Sequence, residues 1–203
     1  MLDGIKIVLI VFTITLVLSL PLGFLLSLAR LSENKILSSI IRIYILIMRG
    51  TPLLLQMIFI FFGLPYLGIV FDRMPTCIIA FVLNYAAYFA EIFRSGIQSI
   101  DKGQYEASLV LGFDKISMYK KIILPQVIKI VLPAVSNEVI NLVKDTSLVY
   151  VLGLNDVLRI AQIATTRTAS LLPLLYAGLI YLLMTGILTK ILDKLERKFA
   201  YYA

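Results

Sequence analysis

Residues 106–125 read EASLVLGFDKISMYKKIILP, the most polar run that lies between two membrane-like apolar segments. From Tyr105, apolar side chains recur at Leu109 and Phe113, the i, i+4, i+8 spacing of a helix face. Ala107, Ser108 and Gly112 are small, so another backbone can approach this helix closely. Glycine costs about 1 kcal/mol inside a helix, so Gly112 is expected to end a short helix in a left-handed cap. Asp114 and Ser117 then cap a second helix, which the basic pair Lys120 and Lys121 carries toward Pro125. The expected unit is a helix–turn–helix at a membrane surface. Its apolar-plus-small face is one that the chain itself does not obviously need.

Working outward, the whole chain is built for a bilayer. Hydrophobic residues make up 60% of its 203 positions and charged residues 15%, well outside the range of soluble domains. No polar run is long enough to fold separately, so one domain, residues 1–203, is expected. The net charge of +7 is better explained by membrane orientation than by nucleic acid, because the basic residues alternate with apolar spans. The single Cys77 sits in an apolar run, which excludes an internal disulfide and a paired-cysteine metal site. With no histidine, imidazole acid–base chemistry and the commonest metal ligand are absent.

The reading along the chain is all-α, with five spans. Residues 7–29 carry no charge and are long enough to cross a ~30 Å hydrocarbon core, with Pro21 and Gly23 expected to bend them. Residues 36–48 are amphipathic and are expected at the interface or entering the membrane obliquely. Span two proper covers about 51–64, and 65–74 is a short loop. Span three covers 75–97 and carries Asn84, Tyr88, Glu91 and Ser95 as one polar stripe. The helix–turn–helix follows within residues 101–125. Span four begins near Gln126, kinks at Pro133 and ends near Val151, with Glu138, Asn141 and Asp145 on one face and Asn137 and Lys144 alongside. Residues 153–170 read as a turn and a short surface helix. Span five covers 171–189, and a basic tail starts at Lys190.

If the loop after span one, the helix–turn–helix and the C-terminal tail share one side, that side holds fourteen of the 19 basic residues and the other side or the membrane keeps five. By the positive-inside rule, the N-terminus then faces out, while the C-terminus and the helix–turn–helix face the cytoplasm.

Glu106, Ala107, Ser108, Gly112, Ile122, Leu124 and Pro125 follow the pattern E-A-A-x3-G-x9-I-x-L-P, with Ser108 replacing the second alanine. This resembles the cytoplasmic coupling loop of the membrane subunits of binding-protein-dependent ABC importers. Arg49-Gly50-Thr51-Pro52, residues 91–97 (EIFRSGI), Gly103-Gln104-Tyr105, Asn137-Glu138 and residues 144–148 (KDTSL) are similar to the polar amino acid subfamily. Together the matches cover about half the chain. The resemblance implies a helix bundle like the permeases of type I ABC importers, in a bacterial inner membrane. It implies a second permease subunit, identical or not, two ATP-binding subunits and an extracytoplasmic substrate-binding protein. Tyr105, Glu106, Ala107, Ser108, Leu109, Gly112 and Phe113 would form the lever held by the ATPase.

The sequence contains no G-x-x-x-x-G-K-[ST] loop, so no cofactor is expected on this chain, and the resemblance implies that ATP and Mg2+ belong to the partner ATPase. Catalytic and metal sites are not expected either. Ionisable groups at membrane depth face a partner or a water-filled cavity, which makes Glu138, Asn141, Asn137, Asn84, Tyr88, Glu91 and Gln56 the candidate substrate pathway. Each has a plain structural alternative: Glu91 pairing with Arg94, Glu138 bonding Tyr88 or Asn84, and Gln56 bonding another helix. Lys144 and Asp145 read as an internal or interfacial pair. Acids exceed bases on the inward stripes, which favours a basic amino acid (arginine, lysine or histidine), with glutamine or another polar amino acid as the second choice. A membrane enzyme lacks paired catalytic groups here. A passive channel or scaffold leaves the helix–turn–helix without a purpose.

Overall fold

A computed structural model describes residues 1–200 of the chain. The elements are α1 (Leu2–Arg30), α2 (Lys35–Gly50), α3 (Leu53–Ile58), α4 (Arg73–Gln98), α5 (Lys102–Val110), α6 (Lys115–Met118), α7 (Leu124–Asp145), α8 (Val157–Thr168) and α9 (Leu172–Ala200). Among the described residues, four continuous helical stretches are long and apolar enough to cross a membrane: 2–30, 73–98, 115–152 and 172–199. The fifth expected span is a bent pair, in which α2 meets Leu53–Leu67 at 105°. Fifteen residues of straight helix reach only ~22 Å, short of the ~30 Å core, so a crossing here needs part of α2 as well.

α1 is one uninterrupted helix with Pro21 inside it. Gly4, Val8, Val11, Thr15, Ser19, Gly23 and Ser27 form its buried stripe, a small-residue seam of the kind that lets membrane helices approach closely. Gly23 is there for that approach and not for a bend, because a Cβ at this position would lie 2.6 Å from Phe89 Cβ and 2.9 Å from the Ala86 carbonyl. The main core lies where α1, α3, α4 and α7 meet, around Met57, Phe81, Phe89 and Leu142.

Span four begins earlier than its sequence suggests. α6 runs without a break through the π-turn Tyr119–Ile123 into α7, and Thr146–Leu152 extends it as 3-10 helix. Pro125 has no N–H to give. The π-turn shifts the ladder so that Leu124 N–H reaches Tyr119 O, and the Gln126 side chain donates to Ile122 O at 2.9 Å. The second helix of the helix–turn–helix is therefore the foot of a span. The basic tail from Lys190 likewise continues α9 as helix. The stretch expected as a surface helix, α8, is seated on α1 and α9 through Val157 and Ala161.

The fold also shows which ends lie together. Leu31, just after α1, packs into the core beneath the helix–turn–helix. Arg197 and Phe199 of α9 share a hollow with Lys129 and Pro133 of α7. At the opposite end, Val8 meets Val157 and Ala177. The basic clusters of α1, the helix–turn–helix and α9 thus gather at one end. The chain's last residues, 201–203, expected on that side, lie outside the described residues.

Candidate functional site

A cleft runs between α2, α4 and α7, and the break between α2 and α3 shapes it. Pro52 disfavours helical backbone at the residue before it, and Thr51 is extended at φ −121°, ψ 147°. The break frees backbone carbonyls inside the protein, and these need donors. Gln56 Nε2 donates to Met48 O at 3.0 Å, Thr51 O at 3.2 Å and Thr51 Oγ1 at 2.8 Å. Asn84 Nδ2 donates to Met48 O at 2.9 Å and to Gln56 Oε1 at 3.1 Å. The Gln56 amide is committed to this joint, and Asn84 both braces it and touches the cleft.

Three adjoining cavities make up the cleft, and Tyr88 lines all of them. The one farthest from the basic end, termed the outer cavity for that position alone, is lined by Thr51, Asn84, Tyr85, Tyr88, Glu138, Asn141 and Asp145. The middle one brings Arg49, Glu91 and Ser95 to the same space as Glu138. The inner one, about 650 Å3, is walled by Arg30, Arg42, Arg49, Glu91 and Arg94. The α4 stripe of Asn84, Tyr88, Glu91 and Ser95 and the α7 stripe of Glu138, Asn141 and Asp145 therefore converge. Asn137 is exposed on another side of α7 and does not line these cavities.

Glu91 is paired with Arg94: Arg94 Nε donates to Oε2 at 3.0 Å and Nη2 to Oε1. Asp145 is not paired with Lys144. Its Oδ2 accepts from Tyr85 OH at 2.7 Å, and Lys144 is exposed. The excess of acids over bases expected of the inward stripes holds in the outer cavity and, with Glu91 and Glu138 against Arg49, in the middle one, but four arginines against one glutamate line the inner one. Arg49 went unassigned in the sequence. Its guanidinium lies 5.3 Å from the Tyr88 ring centroid, a cation–π contact. Its position just before Gly50-Thr51-Pro52 was the available signal, since a side chain at a helix break sits where the backbone turns into the cleft. Asp156 was missed as well. It is fully buried, caps α8 through Leu158 N and Arg159 N, and accepts from Tyr181 OH at 3.1 Å.

The helix–turn–helix has the predicted turn and a different face. Gly112 has φ +78°. Phe113 N–H bonds Ser108 O and Gly112 N–H bonds Leu109 O, both at 3.0 Å, the paired bonds of a Schellman cap. Asp114 accepts from Ile116 N and Ser117 N as an N-cap. Hydrogen bonds from the Ser117 side chain and the Ser117 and Ile116 N–H groups hold its carboxyl below the ordinary range. Ser117 lies inside the second helix, so the cap itself is Asp114. Tyr105 and Phe113 pack onto Ile97, Ile100, Met118 and Ile123, and Ser108 is 2% exposed. The chain uses that face itself. What remains outside is Glu106, Ala107 and Gly112 and an apolar crest of Leu109, Val110 and Leu111, exposed by 58%, 88% and 73%.

Residues 19–201 match the family model described as the binding-protein-dependent transport system inner membrane component. The chain is 43% identical over 199 residues to the arginine transport system permease protein ArtQ of Bacillus subtilis (strain 168), covering 97% of this chain and 91% of that one. It is 37% identical over 187 residues to the putative glutamine transport system permease protein GlnP of Rickettsia conorii (strain ATCC VR-613 / Malish 7), covering 91% and 86%. Its structure is similar to a crystal structure of an amino acid ABC transporter with histidines, at a TM-score of 0.89 and 33% identity over 97% of this chain and 92% of that one. The chain belongs to the inner-membrane components of binding-protein-dependent transport systems, as a multi-pass permease subunit of a polar amino acid ABC importer.

Proposed function

We propose that this permease carries basic amino acids, arginine, lysine or histidine, across the bilayer. The observation that carries the reading is the outer cavity, where Glu138 and Asp145 from α7 face the same space with no basic side chain among its lining. Two carboxylates in one partly desolvated cavity match a substrate with two cationic groups, one of them the α-ammonium. The similarity to an arginine permease and to a transporter with histidines supports the same choice. Asn141 and Tyr88 supply neutral donors and acceptors beside them.

Glutamine is the second reading. Asn84, Tyr88, Asn141 and Thr51 line the same cavity, a polar set suited to a carboxamide, and a putative glutamine permease is among the relatives. On that reading one acid takes the α-ammonium and the other serves structure through Tyr85. ATPase stimulation in the reconstituted complex, measured with arginine, lysine, histidine and glutamine in turn, decides between them. Stimulation by glutamine alone would overturn the basic-substrate reading.

The remaining machinery follows the family pattern. A second permease subunit, identical or closely related, completes the pathway, because five crossings enclose too little space alone. Two ATP-binding subunits carry ATP and Mg2+, and an extracytoplasmic binding protein delivers the amino acid. The exposed crest of α5, with Glu106, Leu109 and Gly112, enters a groove of the ATPase. Tyr105, Ser108 and Phe113 hold α5 on its own span so that movement of the loop rocks α7. The N-terminus faces out and the loop faces the cytoplasm, in keeping with the bias of basic residues.

A further inference from the structure

The cleft changes sign along its length. The outer cavity holds Glu138 and Asp145, whereas the inner one holds four arginines and Glu91. Glu91 is taken up by Arg94. Among the described residues the other three arginines hold no ion pair: Arg30 and Arg49 reach Glu91, and Arg49 reaches Glu138, only through longer-range electrostatics. Arg30 Nη1 donates to Ser38 Oγ at 2.6 Å, and Ser38 Oγ donates in turn to Arg30 O at 2.7 Å, which fixes Arg30 at the joint of α1 and α2. Arg49 lies over the Tyr88 ring. Arg42 is two turns before Arg49 on the same helix face. Among the described residues no carboxylate lies within ion-pair distance of Arg30, Arg42 or Arg49. Keeping unpaired like charges around one space works against the compact state, so folding alone does not account for the three.

We propose that Arg30, Arg42 and Arg49 form a cationic collar at the inner mouth of the pathway. It is a subsite for the carboxylate end of the departing amino acid, and it repels cationic amino acids arriving from the far side. An amino acid leaving Glu138 carries its ammonium groups away from acids and toward guanidinia, so its carboxylate leads. The same potential weakens binding of a basic amino acid at the inner mouth and so limits rebinding after release, while the direction of transport comes from ATP hydrolysis on the partner subunits. This use of the collar rests on the basic-substrate reading above, but the charge of the collar can be read with no substrate present. Clefts lined by one sign of charge raise the local concentration of counter-ions by about 10- to 1,000-fold, and a tenfold preference corresponds to about 1.4 kcal/mol.

Leu46 lines the inner cavity and is 69% exposed, so a cysteine there reports the local potential. In the assembled complex, with Cys77→Ser and Leu46→Cys in phosphatidylcholine nanodiscs, two methanethiosulfonate reagents are compared, one ending in sulfonate and one in trimethylammonium. Relative to a free thiol, the anionic reagent is expected to be favoured about tenfold. Arg30→Gln with Arg42→Gln brings the ratio toward the free-thiol value, and Arg42→Gln alone lowers it about twofold, the share of one charge in three. Arg42→Lys keeps it. A ratio equal to that of the free thiol in the unsubstituted collar, or one that the glutamine variants leave unchanged, overturns the proposal. So does a ratio that collapses when phosphatidylglycerol replaces phosphatidylcholine, because a lipid headgroup would then occupy the collar. An intact ratio in a complex that arginine neither stimulates nor traverses leaves the collar standing and removes the basic-substrate reading instead.

Discussion

Tyr85 OH donates to Asp145 Oδ2 at 2.7 Å and so ties α4 to α7 at the edge of the cavity that also holds Glu138. The tie sits between the two helices whose polar stripes converge, and it spans 60 residues of sequence. It fixes the direction of one of the two outer acids.

Tyr85→Phe keeps the ring, which packs against Phe81, Tyr88 and Phe89, and removes only the donor. A hydrogen bond to a charged group contributes about 1.5–3 kcal/mol. The variant is expected to assemble, to melt at a lower temperature and to lose transport, because Asp145 is no longer held toward the cavity. Thermal unfolding of the purified complex and labelled amino acid uptake are the two measurements. Unchanged values for both would remove the tie from the mechanism.

The parts of this fold that follow local rules were legible in the sequence. Gly112 and Asp114 specify a helix end and a helix start within three residues, and both caps form where the pattern places them. The polar stripes of α4 and α7 follow from 3.6-residue periodicity and do converge. Destinations set by distant residues were not legible. Periodicity marks Tyr105, Leu109 and Phe113 as near one face, but Met118 and Ile123 decide which of them turn inward. The helix breaks at Pro52, and of the two side chains that stabilise the break, Gln56 is a neighbour in sequence but Asn84 lies far along the chain. Arg49 has no site role in the sequence until Tyr88 is seen beneath it. Lys144 and Asp145 are adjacent in sequence, yet successive helix residues point in different directions, and Tyr85 takes the acid.

At Gly112 a Cβ would meet nothing within 4 Å in this chain, so a substitution acts through the backbone and through any partner. Left-handed backbone costs an L-residue about 1–2 kcal/mol. Gly112→Ala is expected to loosen the turn mildly. Gly112→Val, which adds bulk beside the exposed crest, is expected to abolish copurification of the ATPase while membrane insertion stays normal. Equal ATPase recovery and equal transport in both variants would show that the turn is not part of the docking surface.

The grouping of helix ends allows a direct topology test. Cysteines replacing Glu33 and Lys102 lie at the basic end, and those replacing Asp72 and Asn155 at the other; all four positions are exposed. Cys77 is buried and is replaced by serine in each case. An impermeant maleimide applied to intact cells is expected to label positions 72 and 155 only. Labelling of position 102 from outside would reverse the orientation and take the coupling role of α5 with it.

Glu138 lines both the outer and the middle cavities, so whatever passes between them meets its carboxylate. Glu138→Gln keeps the size and the hydrogen bonding of the side chain and removes its charge. If the group serves only packing, the variant assembles and transports normally. If it meets the substrate cation, basal ATPase and assembly persist and uptake falls. Loss of one partner of a buried charge pair costs about 2–5 kcal/mol, which is about 30- to several-thousand-fold in affinity. The size of the loss across substrates locates the contact. An equal loss for arginine and glutamine places Glu138 on the α-ammonium that both share, whereas a loss confined to arginine, lysine and histidine places it on the second cation. We expect the basic substrates to suffer most, with Asp145 left to hold the α-ammonium. Arginine uptake at the unsubstituted rate by a well-assembled Glu138→Gln complex would end the role assigned to this residue.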